Sequence, residues 1–581
     1  MKRPADSDPR VATPGTRDPA PDRSSRPAGL LVLGFAIVGL VTVVLSGLAT
    51  MITKLPLTAE FGLLQLLPPT YWVGLSMIGL SVYLALRSGR VGLFVISGVL
   101  FFAVFVGTPA LFEPNPPVWD GYFHLGEALD IGLMGRLPGD PLAYSANWPG
   151  FFLTVWMLST LTGVPAVALL GIYPFFAGAL TFVALFVFLN WVFGPRTAMV
   201  GSVLGSLLNV WAQFHLSPQS IGLVLALLVL ATLWRKRIPF RVAASVLFVG
   251  LVVSHPTSTI LILGILIVDV VVRLGLRLRS RAAEPSREGA GRFAFNPALA
   301  YGVTWAAWLF FLAAGSSQAA ETVIIAEIGR ILQVPEQALN LATARSLESV
   351  LVLGPQIRLV SLASFGVVGL AALIVLSRRV ASRGLAVFLW AALVSLVLFA
   401  LADILFFGGS LYDRGLMLFA LVTPALGVAA LAAMRLRRPV RRGVLVAFLL
   451  LSVASASTIY AQEVFYFVSD RAVATSGFLE RVEPGANVFD GFFPVPVWVD
   501  AESRTRYAVI GFFTVHPRAL EEFDTTSAAY AVYDGTAELW YRQWRGVEVL
   551  QFYQANRAVY SLIYDNGGTT IDLIALPGPA G

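Results

Sequence analysis

The sequence predicts a multi-pass α-helical membrane protein of about thirteen spans with a small α/β domain at its C-terminal end. Three observations carry this. Of 581 residues, 57% are hydrophobic and only 13% charged, and the mean hydropathy is +0.76, whereas soluble domains are roughly 25% charged. Apolar stretches of about 20 residues, each long enough to cross a hydrocarbon core of roughly 30 Å, recur from Ala28 to Tyr460. After Gln462 the pattern changes to short apolar runs broken by Gly, Asp, Asn and Pro, which is the signature of strands and turns. A soluble enzyme is excluded. The chain has no cysteine, which excludes disulfides, zinc-thiolate sites, iron–sulfur clusters and thiol catalysis.

Residues 1–27 are rich in Pro, Asp, Arg and Ser and cannot bury enough apolar surface to fold, so they are expected to form a disordered cytoplasmic tail. The tail is too long and acidic for a cleaved leader, and the apolar run after it has full span length, so the first helix is expected to stay as an anchor. Spans are then expected at 28–50, 68–86, 91–110, 165–193, 197–212, 219–234, 241–254, 256–275, 297–314, 350–376, 385–407, 415–434 and 443–461. Arginine clusters at Arg87 and Arg90, Arg196, Arg235 to Arg237, Arg273 to Arg292, Arg378 to Arg383 and Arg435 to Arg442 fall on alternate connections, which assigns those connections to the cytoplasm. The others then face outside: 51–67, a large loop at 111–164, 213–218, the turn at His255, 315–349, 408–414, and everything after Gln462. Trp148 to Gly163 is apolar but short and opens with Trp-Pro-Gly, which reads as an interfacial helix rather than a span.

The charge divides along the same line. From Gln462 onward there are 15 acidic and 8 basic side chains, a net of −7 that leaves +14 of the total +7 on the first 461 residues. The basic excess lies in short loops between spans, so it reports topology and gives no reason to expect a nucleic-acid partner. The domains expected are thus the tail at 1–27, a membrane domain at 28–461 with its outer loop at 111–164, and an extracytoplasmic α/β domain at 462–581.

Polar side chains are the informative ones in such a chain, because each is costly near hydrocarbon and tends to face a cavity. They gather on the outer side: His124, His215, His255 and His516, together with Asp120, Glu127, Asp130, Asp140, Arg358, Asp413 and Arg414. In the outer loop, prolines before Trp119 stop any helix, and Asp120 is placed to N-cap a new one running to about Met134. On it Asp120, His124 and Glu127 share one face at i, i+4 and i+7, with Asp130 to the side. A carboxylate beside a histidine can act as general base on a hydroxyl or hold a divalent cation such as Mg or Mn. A capped, solvated helix with no chemical role is the bland alternative. FHLSPQS at 214–220, SHPTS at 254–258, GPQIR at 354–358 and SLYDRG at 410–415 lie near outer span ends, where they place His215, Gln219, His255, Arg358, Tyr412, Asp413 and Arg414 as candidate cavity-lining residues. Ser or Thr beside Pro is also an ordinary helix-start signal. Arg358 and Arg414 sit at the end that positive-inside topology leaves poor in arginine, which fits an anionic phosphate held by a guanidinium fork.

WDGYFH in an acidic outer loop, NWPGFF after it, an outer SPQ, an HP turn and a late YDRG together resemble the GT-C superfamily of integral membrane glycosyltransferases, in particular prokaryotic members related to mannosyltransferases and oligosaccharyltransferases. The ending IYDNGGTTIDLI at 563–574 is similar to the last strand pair of a small outer domain that some members carry. The resemblance implies a polyprenyl-phosphate-linked sugar as donor, a glycan, lipid or protein as acceptor, an inverting transfer at the outer membrane face, and Asp120 as base or metal ligand with His124 and Glu127 beside it. Arg414 and Arg358 would hold the donor phosphate. Two spans more than usual precede the acidic loop, and the WWD-type motif of oligosaccharyltransferases is absent, which favours transfer of a single sugar. A transporter or flippase of a lipid-linked saccharide would need polar groups strung across the membrane, and few occur at mid-depth. A non-catalytic assembly protein is the third class.

Overall fold

The computed structural model describes residues 26–56, 58–139, 143–210, 212–235, 237–281, 296–315, 351–379, 383–406, 412–482, 487–490, 528–534, 561–567 and 569–573. Each expected span corresponds to a helix: α1 Arg26–Ala49, α2 Pro69–Ser88, α3 Val91–Val106, α8 Ala166–Phe193, α9 Pro195–Leu208, α10 Pro218–Trp234, α11 Ile238–Ser254, α12 Pro256–Arg281, α13 Pro297–Phe311, α14 Leu353–Arg379, α15 Arg383–Phe406, α16 Tyr412–Ala433 and α17 Arg438–Ala456. Among the described residues, eight helices are long and apolar enough to cross a membrane, and α3, α10, α11 and α13 are shorter apolar ones. The last span sits about five residues earlier than expected, because Pro439 in its first turn carries the helix start back into the arginine cluster.

Helices α1 and α2 approach closely at paired glycines. A side chain on Gly39 would lie 2.6 Å from the carbonyl of Gly74, and one on Gly74 would lie 2.8 Å from that of Gly39. Without a hydrophobic force between helices in lipid, such small residues permit the backbone contact that replaces it. Gly205 does the same for α9 and α16, since a Cβ there would meet the Leu421 carbonyl at 2.2 Å.

Helices α9, α10 and α11 have 14, 17 and 17 residues, hence lengths of about 21 to 26 Å at 1.5 Å per residue, short of the roughly 30 Å core. Their short length recesses the polar segments at their arginine-poor ends: Asn209 after α9, His215 before α10 and His255 after α11. Over this recess lies the large loop, folded as α4 Pro109–Phe112, α5 Trp119–Met134, α6 Tyr144–Asn147 and α7 Pro149–Thr162. Helix α7 has only 14 residues, as expected of an interfacial element.

Beyond α17 a short 3-10 turn at Glu463–Phe465 leads to α18 Asp470–Val482, which packs on a four-stranded sheet of order β1-β2-β4-β3. Strand β1 Asn487–Asp490 pairs parallel with β2 Ala528–Asp534, while β4 Thr569–Leu573 pairs antiparallel with both β2 and β3 Ser561–Asp565. The β3–β4 pair is the strand pair expected at 563–574. Of the short apolar runs after Gln462, those at 507–515 and 547–553 lie outside the described residues, as do Asp140 and His516.

Candidate active site

Helix α5 is set by its buried face. Tyr122, Leu125, Ala128 and Ile131 pack with Phe151 and Phe152 of α7, Leu170 of α8, Leu216 and Val468. Removing these apolar groups from water is worth roughly 1.5–3 kcal/mol for each large side chain, and it fixes the rotation that turns Asp120, His124 and Glu127 to the adjoining face. The helix start differs from expectation. Val118 is the N-cap, with φ 72 and no side-chain cap, and Asp120 lies inside the first turn. Val118 is the one non-glycine residue with positive φ among the described residues, a conformation that costs a β-branched side chain about 1–3 kcal/mol. Its N–H donates to the Tyr466 carbonyl at 2.8 Å, and Asn115 Nδ2 donates to the Val468 carbonyl at 3.1 Å and to Asp470 Oδ1 at 2.9 Å. These bonds staple the start of α5 to the chain after α17.

Two histidines converge on a single oxygen of Asp120. Oδ2 lies 3.0 Å from His215 Nε2 and 3.4 Å from His124 Nε2, and the Asp120 side chain stays 28% exposed against 11% and 12% for the rings. Burial works to raise the Asp120 carboxyl, but the charge and hydrogen bonds of His124, and then of His215, outweigh it and hold the group well below the usual carboxylate range. His124 is pulled down by burial and raised more strongly by Asp120 and Glu127, so it ends above its ordinary value. Its ring is wedged edge-on against Phe152 and Phe151 at 5.7 and 6.1 Å.

Glu127 is pushed up to about 7, first by burial, with His124 and the Ser145 hydroxyl and amide pulling down and Asp130 pushing up. Tyr144 stands within electrostatic reach of Arg414, Glu127 and Asp120 together, and burial raises its phenol far above its ordinary value. His255 is lowered to about 3 by burial, by Arg414 and by His124, and is therefore neutral. Ser258 N–H donates to its Nδ1 at 3.2 Å, which leaves Nε2 as the N–H donor. Gly222 makes room for this ring, since a Cβ there would lie 2.8 Å from that of His255. Thus Asp120, His124, Glu127, His215, His255 and Arg414 are brought to one recess.

Gln219 is buried at the start of α10, its Nε2 on the Met417 sulfur at 3.2 Å. Arg358 occupies another position: its Nε donates to Thr458 Oγ1 at 3.1 Å and its Nη2 to the Thr458 carbonyl, which ties it to the end of α17. Tyr412 and Asp413 open α16, but their side chains lie outside the described residues. Tyr144 and Ser145 were missed from sequence, because a four-residue turn between prolines carries no periodicity. Glu113 and Glu463 were missed too. Burial, and for Glu113 the neighbouring Glu463, drives Glu113 well above the usual range and Glu463 to about 8. Among the described residues no group of three or more His, Asp or Glu side chains is arranged to hold a metal ion; Asp120, His124 and Glu127 do not form one.

No family model matches the sequence, and no curated protein does. Solved structures do show similarity. An oligosaccharyltransferase from Archaeoglobus fulgidus in its apo form aligns over 82% of this chain and 74% of its own, at 13% identity and a TM-score of 0.47. ArnT from Cupriavidus metallidurans, also apo, aligns over 84% of this chain and 98% of its own, at 14% identity and a TM-score of 0.42. Likeness this distant decides nothing about the chemistry, which rests on the side chains of the recess.

Proposed function

We propose that this protein is a membrane glycosyltransferase that moves a single sugar from a polyprenyl-phosphate carrier to an acceptor hydroxyl at the extracytoplasmic face. The observation that carries the reading is Asp120, with one oxygen approached by both His124 and His215, in a recess where Tyr144 lies within electrostatic reach of both Asp120 and Arg414. A general base and a phosphate-binding cation must share one reaction centre, and the electrostatic reach of Tyr144 to both Asp120 and Arg414 supports that reading. WDGYFH and YDRG, two of the five motifs that carry the sequence resemblance, supply these two groups.

In the proposed step the acceptor hydroxyl gives its proton to Asp120 Oδ1 as its oxygen bonds the anomeric carbon. The bond from that carbon to the phosphate oxygen breaks, and polyprenyl phosphate leaves. A single displacement inverts the anomeric centre. Negative charge grows on the departing phosphate, where the Arg414 guanidinium and the His255 Nε2–H stand to receive it. Arg358 is held by Thr458 and is given no part in this step. A protonated His124 weakens Asp120 as a base, so the competent form has His124 neutral and transfer quickens as pH rises. The two histidines already claim Oδ2, and we propose that the step runs without Mg or Mn. The N-terminus is cytoplasmic and the C-terminal domain outside in this reading.

Asp120→Asn tests it in membranes supplied with synthetic polyprenyl-phosphate sugars. Transfer is expected to fall by about 10²–10⁴, the usual contribution of a positioned base, with expression and the melting profile kept. Undiminished transfer would rule out Asp120 as the base. Carrier movement across the bilayer with no sugar transferred would favour the flippase class.

A further inference from the structure

Between α3, α8, α9 and α16 lies a narrow cavity with room for about one water molecule. Phe102, Leu421 and Phe214 give it apolar walls, and Thr181, Ser206 and Asn209 give it hydroxyl and amide groups. Asn209 is 1% exposed, and both atoms of its amide, like the Ser206 hydroxyl, find no hydrogen-bond partner among the described residues. An apolar chamber of this size stays dry, whereas one lined by two to four polar groups holds a water that completes their bonds. The wall formed by Phe214 matters for function, because the next residue is His215. Among the described residues, 212–216 make no hydrogen bond between main-chain groups. That segment is held by Ala212 and Phe214 packing on the main core, by Leu216 in the α5–α7 core and by the His215–Asp120 bond.

We propose that this chamber binds one internal water, hydrogen-bonded to Asn209 and Ser206, and that it props the Phe214–His215 segment so that His215 reaches Asp120. Asn209 is thereby a positioning residue for the carboxylate. The kinetic arm of this inference rests on the transfer reaction proposed above; the structural arm does not. An experimental map of the full chain in lipid nanodiscs, at a resolution that shows waters, should hold one density within hydrogen-bond distance of Asn209 and Ser206. The chain has only four histidines, so ring-15N NMR can follow His215, its signal assigned by loss in His215→Gln. Asn209→Leu fills the chamber with hydrocarbon. It should move the His215 signal and lower the turnover number about tenfold to a hundredfold, as small displacements of reacting groups do, with KM unchanged. Asn209→Ser keeps a hydroxyl for the water and should leave both near their starting values; if the leucine variant does not fold, the presence or absence of the water density decides. A dry chamber, or a His215 signal that a folded Asn209→Leu leaves unmoved, overturns the inference even if transfer is observed. If the water and the His215 response are found but no polyprenyl-phosphate sugar is consumed, the chamber stands and the transfer reading falls.

Discussion

Glu127 offers a test in which stability and chemistry can be read on the same variant. Its carboxyl has an ordinary value of 4.5 and is pushed up to about 7 in the folded chain, chiefly by burial. The folded state therefore holds a proton that the unfolded state has released, and folding is penalised as that proton is stripped away. The penalty is absent below about pH 4.5, accrues between there and about 7, and is complete above. At about 1.4 kcal/mol per pH unit it reaches about 3 kcal/mol, an upper bound because the side chain keeps some contact with water. Glu127→Gln removes the titration and keeps the size of the side chain. Denaturation midpoints of purified protein in detergent, followed from about pH 4 to about pH 9, should coincide for the two proteins at the acid end and separate in favour of the variant at the alkaline end. The same substitution should move the rise set by His124 to lower pH, since Glu127 helps to raise that group. A variant that loses stability equally at every pH would refute the reasoning, since it would mean that Glu127 is ionised throughout and serves as a structural acceptor.

Three other outcomes follow from the site and its setting. Val118→Gly should raise the denaturation midpoint by the equivalent of about 1 kcal/mol, by relieving the left-handed valine, and should lower transfer by loosening the start of α5; a lower midpoint would show that the valine packing outweighs the strain. Cysteines introduced singly at the exposed Arg136 and Arg471 should react with an impermeant reagent in intact cells, whereas ones at the exposed Arg237 and Arg441 should stay protected. Labelling of Arg136→Cys without Arg471→Cys would put the two halves of the site on opposite faces. Treatment with EDTA followed by desalting should leave transfer within about twofold of its starting rate, because a base and a guanidinium need no ion between them; abolition restored by Mg or Mn would return a cation to Asp120.

Much of this protein could be read from its residues, for physical reasons that act locally. Hydrocarbon demands about 20 apolar residues and satisfied backbone bonds from each crossing, so the thirteen helices and the short α7 were legible one window at a time. Arginine retention is likewise local. The 3.6-residue period put Asp120, His124 and Glu127 on one face before any neighbour was known. The sequence could not say what that face meets. His215 lies 95 residues from Asp120, and its approach depends on α9 and α10 both stopping short. The N-cap was misjudged because the Val118 conformation is imposed by Tyr466, a partner nearly 350 residues away. Arg358 and Arg414 look alike as outer-end arginines, and only packing separates them, the first tied to Thr458 and the second set beside Tyr144 and His255. Period and hydropathy fix each element and its faces. Which faces meet is decided by long-range packing, and with it the approach of the distant His215 to the Asp120 oxygen that His124 already neighbours on the same helix.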